Sequence, residues 1–372
     1  MSITKVTDAG LDRSRIVTPL IINGDMSVAQ RGAGPSGAFA SSGYSEGPDR
    51  FKVVLSSMGN WKSAQTTTVP TGQGFSKSFQ LDCDAADASP AASDSVQFVQ
   101  YMEGQNLQSL KKGTSNAESI TVSFWVRSNK TGTYTLELYD NDNARQISKT
   151  YTINSADTWE KKIVNFAADT TGALDNDNAL SFAVQWWLGA GSNFTSGTLS
   201  QTWTSVTTAN RVSSNQVNLA DSTSNEWYIT GVQLEVGEFD STTIPSFPFE
   251  SFESNFRKCC RYFQQIGDGI YTDTSLGGNR LAIGQRDGSG SSGGYPTVPV
   301  LSQLRTTPSI TYNNLNVRQD GSNKGISSID TIKNFGMTVS FNLTADSNFS
   351  TGETFQIRTT TSNGYMRFDA EL

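Results

Sequence analysis

The chain has 372 residues, of which 35% are hydrophobic, 10% aromatic and 17% charged; its formal net charge is −7 and it contains no histidine. At roughly 100–200 residues per domain this length exceeds one ordinary core, so two domains are expected. No run of Lys or Arg exceeds two, which leaves counterion-driven nucleic-acid binding without a footprint. The missing histidine excludes His-dependent triads, most zinc sites and the usual general base near neutral pH.

Cys83, Cys259 and Cys260 make an odd count without framework spacing, which suits synthesis in a reducing cytoplasm. No charged, apolar, then small-residue leader opens the sequence, and the early apolar piece Leu20–Ile22 is too short to cross a bilayer. Neither signal-peptide secretion nor membrane insertion is expected. Residues 1–19 are polar with isolated apolar positions (Ile3, Val6, Leu11, Ile16, Val17) and read as an arm that orders on a partner.

From Leu20 to Glu250, short runs with period-2 patterning recur between Gly, Asn and Asp: Phe51–Leu55, Phe75–Leu81, Val96–Met102, Ile120–Val126, Tyr134–Tyr139, Trp159–Phe166, Leu180–Trp186 and Trp227–Val236. In "SITVSFWVRS", Ile120, Val122, Phe124 and Val126 face one way and Thr121, Ser123, Trp125 and Arg127 the other. Many such strands without intervening helices predict an all-β, antiparallel sandwich over 20–250. The segment "DSTTIPSFPF" (Asp240–Phe249), with Pro245 and Pro248, reads as a linker. Beyond Gly267 a second set of strands is predicted at Gly269–Thr274, Arg280–Gln285, Thr297–Leu301, Ser309–Asn313, Met337–Asn342, Phe355–Thr360 and Tyr365–Ala370, with a Gly/Ser loop at Asp287–Gly294. Residues 268–372 therefore read as a second, smaller antiparallel β-sandwich.

Between the two lies "FRKCCRYFQQ". Phe252, Phe256, Cys259, Phe263 and Ile266 recur at spacings of four, three, four and three, predicting a helix over 251–267 capped by Ser251 and stopped by Gly267. Either this helix plugs the junction between the sandwiches, or three copies meet about an axis. Two heptads are marginal for an isolated coil, which favours the plug. Arg257, Lys258 and Arg261 would lower a nearby thiol pKa, but without a histidine base Cys259 reads as a packing residue.

Several stretches resemble a known family. "IINGDMSVAQRG" (Ile21–Gly32), "DRF" (Asp49–Phe51) and "WYITGVQLEVGEFDSTTIPSFPFE" (Trp227–Glu250) are similar to the first and last strands of the carbohydrate-binding-module-like jelly roll of tailed-bacteriophage fibre and minor virion proteins. "FRKCCRYFQQ" resembles the Cys-Arg-Tyr-Tyr/Phe helix that follows it, and "LRTTPSITY" (Leu304–Tyr312) and "YMRFDAEL" (Tyr365–Leu372) resemble the C-terminal sandwich of these fibres. The resemblance spans Leu20 to Leu372. It implies a noncatalytic virion component, assembled in the bacterial cytoplasm and displayed on the particle surface, often as a homotrimer. Its arm would dock on other virion proteins, and its sandwich would face host-surface polysaccharide.

Flat aromatic faces stack on sugar rings, so Trp125, Trp186, Trp187, Trp203 and Trp227 are candidates. Trp187 and Trp203, beside the loop Gly189–Gly197, are favoured, with Tyr139 and Asp140 as further candidates. Aromatic packing in the sandwich core is the competing reading. No other cofactor is expected, but the resemblance also implies a structural calcium near the first strand, with Asn23 and Asp25 as matching donors and Glu235 approaching from the last strand. "GVQLEVG" lacks the aspartate pair of the family pattern, and Asn23–Asp25 alone reads as a turn. Two other functions compete: a capsid or tail cement protein, and a glycan depolymerase using acidic pairs such as Asp82/Asp84 or Asp175/Asp177. No fixed-period repeat of the kind found in parallel β-helices supports the depolymerase.

Overall fold

A computed structural model describes residues 19–267, 280–286, 293–347, 354–361 and 363–372. The predicted arm up to residue 18, the predicted strand at 269–274 and most of the Asp287–Gly294 loop lie outside the described residues.

The N-terminal unit contains β1 (Lys52–Ser56), β2 (Asn60–Thr66), β3 (Ser78–Ala85), β4 (Ser95–Glu103), β5 (Ile120–Ser128), β6 (Gly132–Asp140), β7 (Arg145–Ile153), β8 (Glu160–Phe166), β9 (Leu180–Ala190), one helical turn α1 (Ser192–Thr195), β10 (Thr204–Ser205) and β11 (Glu226–Val236). A six-stranded sheet, β1-β4-β9-β6-β7-β10, packs on a five-stranded sheet, β2-β3-β11-β5-β8. The last strand, β11, lies between β3 and β5, so chain closure is a long-range event, as in a jelly roll. Alternation places Phe98, Phe124, Trp186 and Trp227 between the sheets, where their rings meet edge-on or tilted at centroid distances of 5.3–5.8 Å.

After the helix α2 (Phe252–Cys260) come β12 (Phe263–Gly267), β13 (Arg280–Arg286), β14 (Gly293–Pro299), β15 (Ser309–Asn313), β16 (Leu315–Gln319), β17 (Ser322–Lys324), β18 (Ile326–Asn334), β19 (Thr338–Ala345), β20 (Thr354–Thr359) and β21 (Tyr365–Asp369). They form a three-stranded sheet, β12-β21-β15, and a seven-stranded one, β17-β16-β20-β13-β14-β19-β18. Their core is separate from the first and includes Val298, Phe341, Phe355, Ile357, Met366 and Phe368. The protein is all-β, with two antiparallel sandwiches in series.

The predicted helix is too long. It ends at Cys260, and Phe263 and Ile266 belong to β12, paired with β21. Phe252, assigned to its apolar face, is 61% exposed; the buried helical residues are Asn255, Cys259 and Cys260. The spacing continues past the helix because β12 covers residues on both faces: Phe263 is buried under Arg31, while Ile266, on the opposite face, packs on the second core. Ser251 does cap the helix, its hydroxyl accepting from Ser254 N–H at 3.2 Å. Strands β2, β7, β10, β16, β17 and β18 are additional to those predicted. In β7, the polar Gln146 and Ser148 are fully buried beneath the 200–211 segment, bonding to Ser200 and Arg211.

Candidate functional site

Strands β4, β9 and β6 run side by side in the six-stranded sheet, and their outward residues align in rows. Tyr101, Ala183 and Tyr139 form one row, Val99, Gln185 and Glu137 the next, and Gln97, Trp187 and Thr135 the third. Ala183 is small, so two tyrosines separated by two strand spacings, roughly 10 Å, stand either side of a hollow. The cleft measures about 220 Å³, and its lining includes Val54, Gln97, Tyr101, Tyr139, Gln185 and Arg211.

Buried charge positions its wall. Glu137 is fully buried and accepts two bonds from Arg211, both 2.9 Å, and one from the Trp187 indole N–H at 2.8 Å. Arg211 lies 5.1 Å from the Tyr139 ring centre and 5.0 Å from that of Trp187. Burial raises the Tyr101 phenol pKa, with Arg211 opposing, so Tyr101 stays a neutral hydroxyl. Two rings, two amides and a fixed guanidinium can stack on a pyranose and bond its hydroxyls.

Of the residues favoured from sequence, only Tyr139 lines this cleft. Trp187 is fully buried beneath it, packed on Phe194, and can present no face to a ligand. Trp203 is half-buried against the core: its indole N–H donates to Ala167 O at 2.8 Å, and Lys112 Nζ lies 4.9 Å from its ring centre. Asp140 is fully buried in an ion pair with Lys112 and accepts from Asn143. These three residues hold the sandwich together instead. Tyr101, Gln97, Gln185 and Arg211 went unnoticed, although period-2 reading of "SVQFVQYME" does put Gln97 and Tyr101 opposite Phe98.

The Asn23–Asp25 stretch is a joint. Asn23, at φ 62°, donates through Nδ2 to Val28 O and Asp49 O, and its Oδ1 accepts from Val28 N and Asn255 Nδ2. Asn255 of α2 also donates to Asp25 Oδ1 at 3.0 Å and Ser27 Oγ at 2.9 Å, and accepts from Asn23 N at 3.1 Å. With Asn23 fully committed and Asp25 bonded to Ser27 and Asn255, this donor set does not fit a cation needing six to eight oxygens. Glu235 does approach as expected, lining one small hollow with Asn23 and Asp25, and it accepts from Gln233 Nε2. Among the described residues no group of three or more His, Cys, Asp or Glu side chains could hold a metal ion.

The rest of "FRKCCRYFQQ" completes the joint within one chain. Arg261 forks onto the fully buried Glu103 of β4 at 2.8 and 2.7 Å. The Arg50 guanidinium lies 3.4 Å from the Tyr262 ring centre and pairs with Glu371; that of Arg31 lies 3.6 Å from Phe263 and pairs with Asp369 and Glu371. Arg305 donates to the carbonyls of Ala370, Glu371 and Asn178. Both helix thiols are buried beneath this assembly. Burial, reinforced by Asp49, raises their pKa values, Cys260 to about 12, so neither is a nucleophile near neutral pH.

No known family model matches the sequence, and no curated protein matches it. Solved structures with which it aligns include the enzymatically active domain of tailspike protein 4 of bacteriophage CBA120 (13% identity, TM-score 0.29, 59% of this chain and 21% of that one). Others are a Bacteroides thetaiotaomicron protein described as sugar-binding (13%, TM-score 0.31, 59% and 99%) and a family 11 carbohydrate-binding module of a Clostridium thermocellum cellulase (10%, TM-score 0.26, 58% and 96%). This chain thus spans about a fifth of the tailspike domain. Likeness at this level locates no site here.

Proposed function

We propose that the protein is a noncatalytic component of a bacteriophage particle that recognises host-surface polysaccharide through the Tyr101–Tyr139 cleft. The observation that carries this reading is the row Tyr101–Ala183–Tyr139, two rings flanking a hollow edged by Gln97, Gln185 and Arg211. The motif resemblance from Leu20 to Leu372 supplies the virion context. It also supplies the proposals that residues 1–19 dock on other virion proteins and that three copies assemble, so that weak contacts add through multivalency.

The cleft lining contains no carboxylate, whereas glycoside hydrolysis ordinarily uses two. Asp82 faces Glu226 across neighbouring strands on the other sheet, where burial and Glu226 raise its pKa; Glu226 itself is held by Arg127 and Tyr228. This argues for binding without turnover.

A glycan array probed with the full chain tests the proposal. Binding should leave the glycan intact and weaken about tenfold in Tyr139→Ala, equivalent to ~1.4 kcal/mol. Silence across host polysaccharides would favour a cement protein, and release of reducing ends would favour a depolymerase.

A further inference from the structure

The opposite sheet has its own unexplained features. Along β5 the outward residues are Thr121, Ser123, Trp125 and Arg127. Thr121 is covered by the Gly237 carbonyl and Asn165, and Arg127 is engaged by Asp157 and Glu226. Trp125 is left half-exposed in the middle of the face. One wall beside it is built by Phe75, Phe247 and Phe249, whose ring centres lie 4.9–5.1 Å apart. Phe75 comes this close because Gly231, at φ 62°, has no side chain; a Cβ there would lie 2.5 Å from the ring. The cleft so formed is about 280 Å³.

Lys161 of β8 stands directly across from Trp125 and lines this cleft. It also lines a second one of about 570 Å³ at the open edge of the sandwich, with Lys149, Lys162, Asn165 and Gln201. Lys162 is paired with Glu160, but Lys149 and Lys161 have no carboxylate partner among the described residues. In a chain of net charge −7 with 35 acidic residues, neither cleft is lined by a single one. Charge selection and aromatic stacking therefore meet at Lys161.

We propose that this face is a second saccharide site, selective for acidic oligosaccharides. A sugar ring lies on Trp125 between the phenylalanines, its carboxylate pairs with Lys161, and the next acidic unit enters the wider cleft toward Lys149. The clefts are near and within the size range of small-molecule sites, roughly 300–1,000 Å³. This assignment is independent of the Tyr101–Tyr139 cleft, which lies on the other sheet.

The full chain is titrated calorimetrically with oligogalacturonate, alginate, hyaluronan and heparin oligosaccharides, and with neutral cello- and galacto-oligosaccharides. At least one acidic probe should bind more tightly than every neutral one and weaken as NaCl is raised. Trp125→Ala and the double variant Lys149→Glu/Lys161→Glu should each weaken it at least tenfold; Lys161→Arg should retain most of the affinity. These positions lie on the surface, and circular dichroism checks that each variant folds. The same titration is repeated on Tyr139→Ala: retained affinity supports the second face, whereas lost affinity assigns the ligand to the first cleft and overturns the proposal. Failure of every acidic probe to bind, or binding that survives both Trp125→Ala and the double charge reversal, also overturns it.

Discussion

Replacing Arg261 with methionine should unlock the joint. Glu103 is fully buried, and Arg261 gives it two charge-assisted hydrogen bonds at 2.8 and 2.7 Å. Removing one partner of a buried pair costs about 3–5 kcal/mol, because the other charge is left uncompensated. The Arg261 side chain is 28% exposed, so water reaches Glu103 through the vacated space and the lower end, about 3 kcal/mol, is expected. All seven tryptophans precede residue 228. Tryptophan fluorescence therefore reports the first sandwich, while far-ultraviolet circular dichroism reports both. In urea the two signals should coincide for the wild type and separate for Arg261→Met. The pH dependence adds a sign. Burial pushes the Glu103 pKa up, but Arg261, together with hydrogen bonds from Tyr262 and Gln105, more than reverses this and holds it below the ordinary 4.5. The stability contributed by the pair is thus present above pH 4.5 and lost as pH falls through the depressed folded value. In Arg261→Met the largest lowering influence is gone while the Tyr262 and Gln105 bonds remain, so the Glu103 pKa should rise and the loss of stability on acidification should shrink. A cost below about 1 kcal/mol, or coincident signals in the variant, would refute the reasoning. Arg261→Met with Glu103→Leu should recover most of the loss.

Asn255→Ala removes the two Nδ2 hydrogens shared among Asn23, Asp25 and Ser27, and one accepted bond, at the loop 23–27, and should cost about 2–3 kcal/mol, measured by urea unfolding. Asp49 is fully buried, and desolvation, opposed by Arg31, raises its pKa to about 6. Its protonated form is the one that folding favours, so stability should rise as pH falls from about 6 toward 3.8; a slope of the same size in Asp49→Asn would exclude Asp49 as its source. Cys83, Cys259 and Cys260 are all buried, so a thiol reagent at pH 8 should label none of them until denaturant is added; rapid labelling of folded protein would refute the packing role. Native mass spectrometry tests the assembly proposal: a trimer at micromolar concentration would support it, and a monomer both there and in the virion would end it.

The sequence by itself determined the class of the fold. Period-2 runs such as Ile120–Val126 bury one face whatever their partners are, because a strand alternates its side chains without help from the rest of the chain. Ser251 as a cap was legible for the same local reason. The helix C-terminus was not, because apolar spacing cannot distinguish a further turn of helix from a following strand that covers residues on both of its faces; only the pairing of β12 with β21 decided that Phe263 is extended. Strand β7 escaped notice because its buried Gln146 and Ser148 look exposed until the 200–211 segment is seen to cover them. The candidate sites divide likewise. Alternation could place Tyr101 and Tyr139 on outward faces, but register alone set Ala183 between them. Trp187 occupies an outward position too, yet Phe194 of the turn that follows β9 and Arg211 from further along the chain fold over it and bury it. "FRKCCRYFQQ" announces cations, rings and thiols. That these form an intrachain joint depends on Glu103, Asn23 and Glu371, brought to it from up to 232 residues away by the closure of both sandwiches, and long-range closure is what local sequence cannot encode.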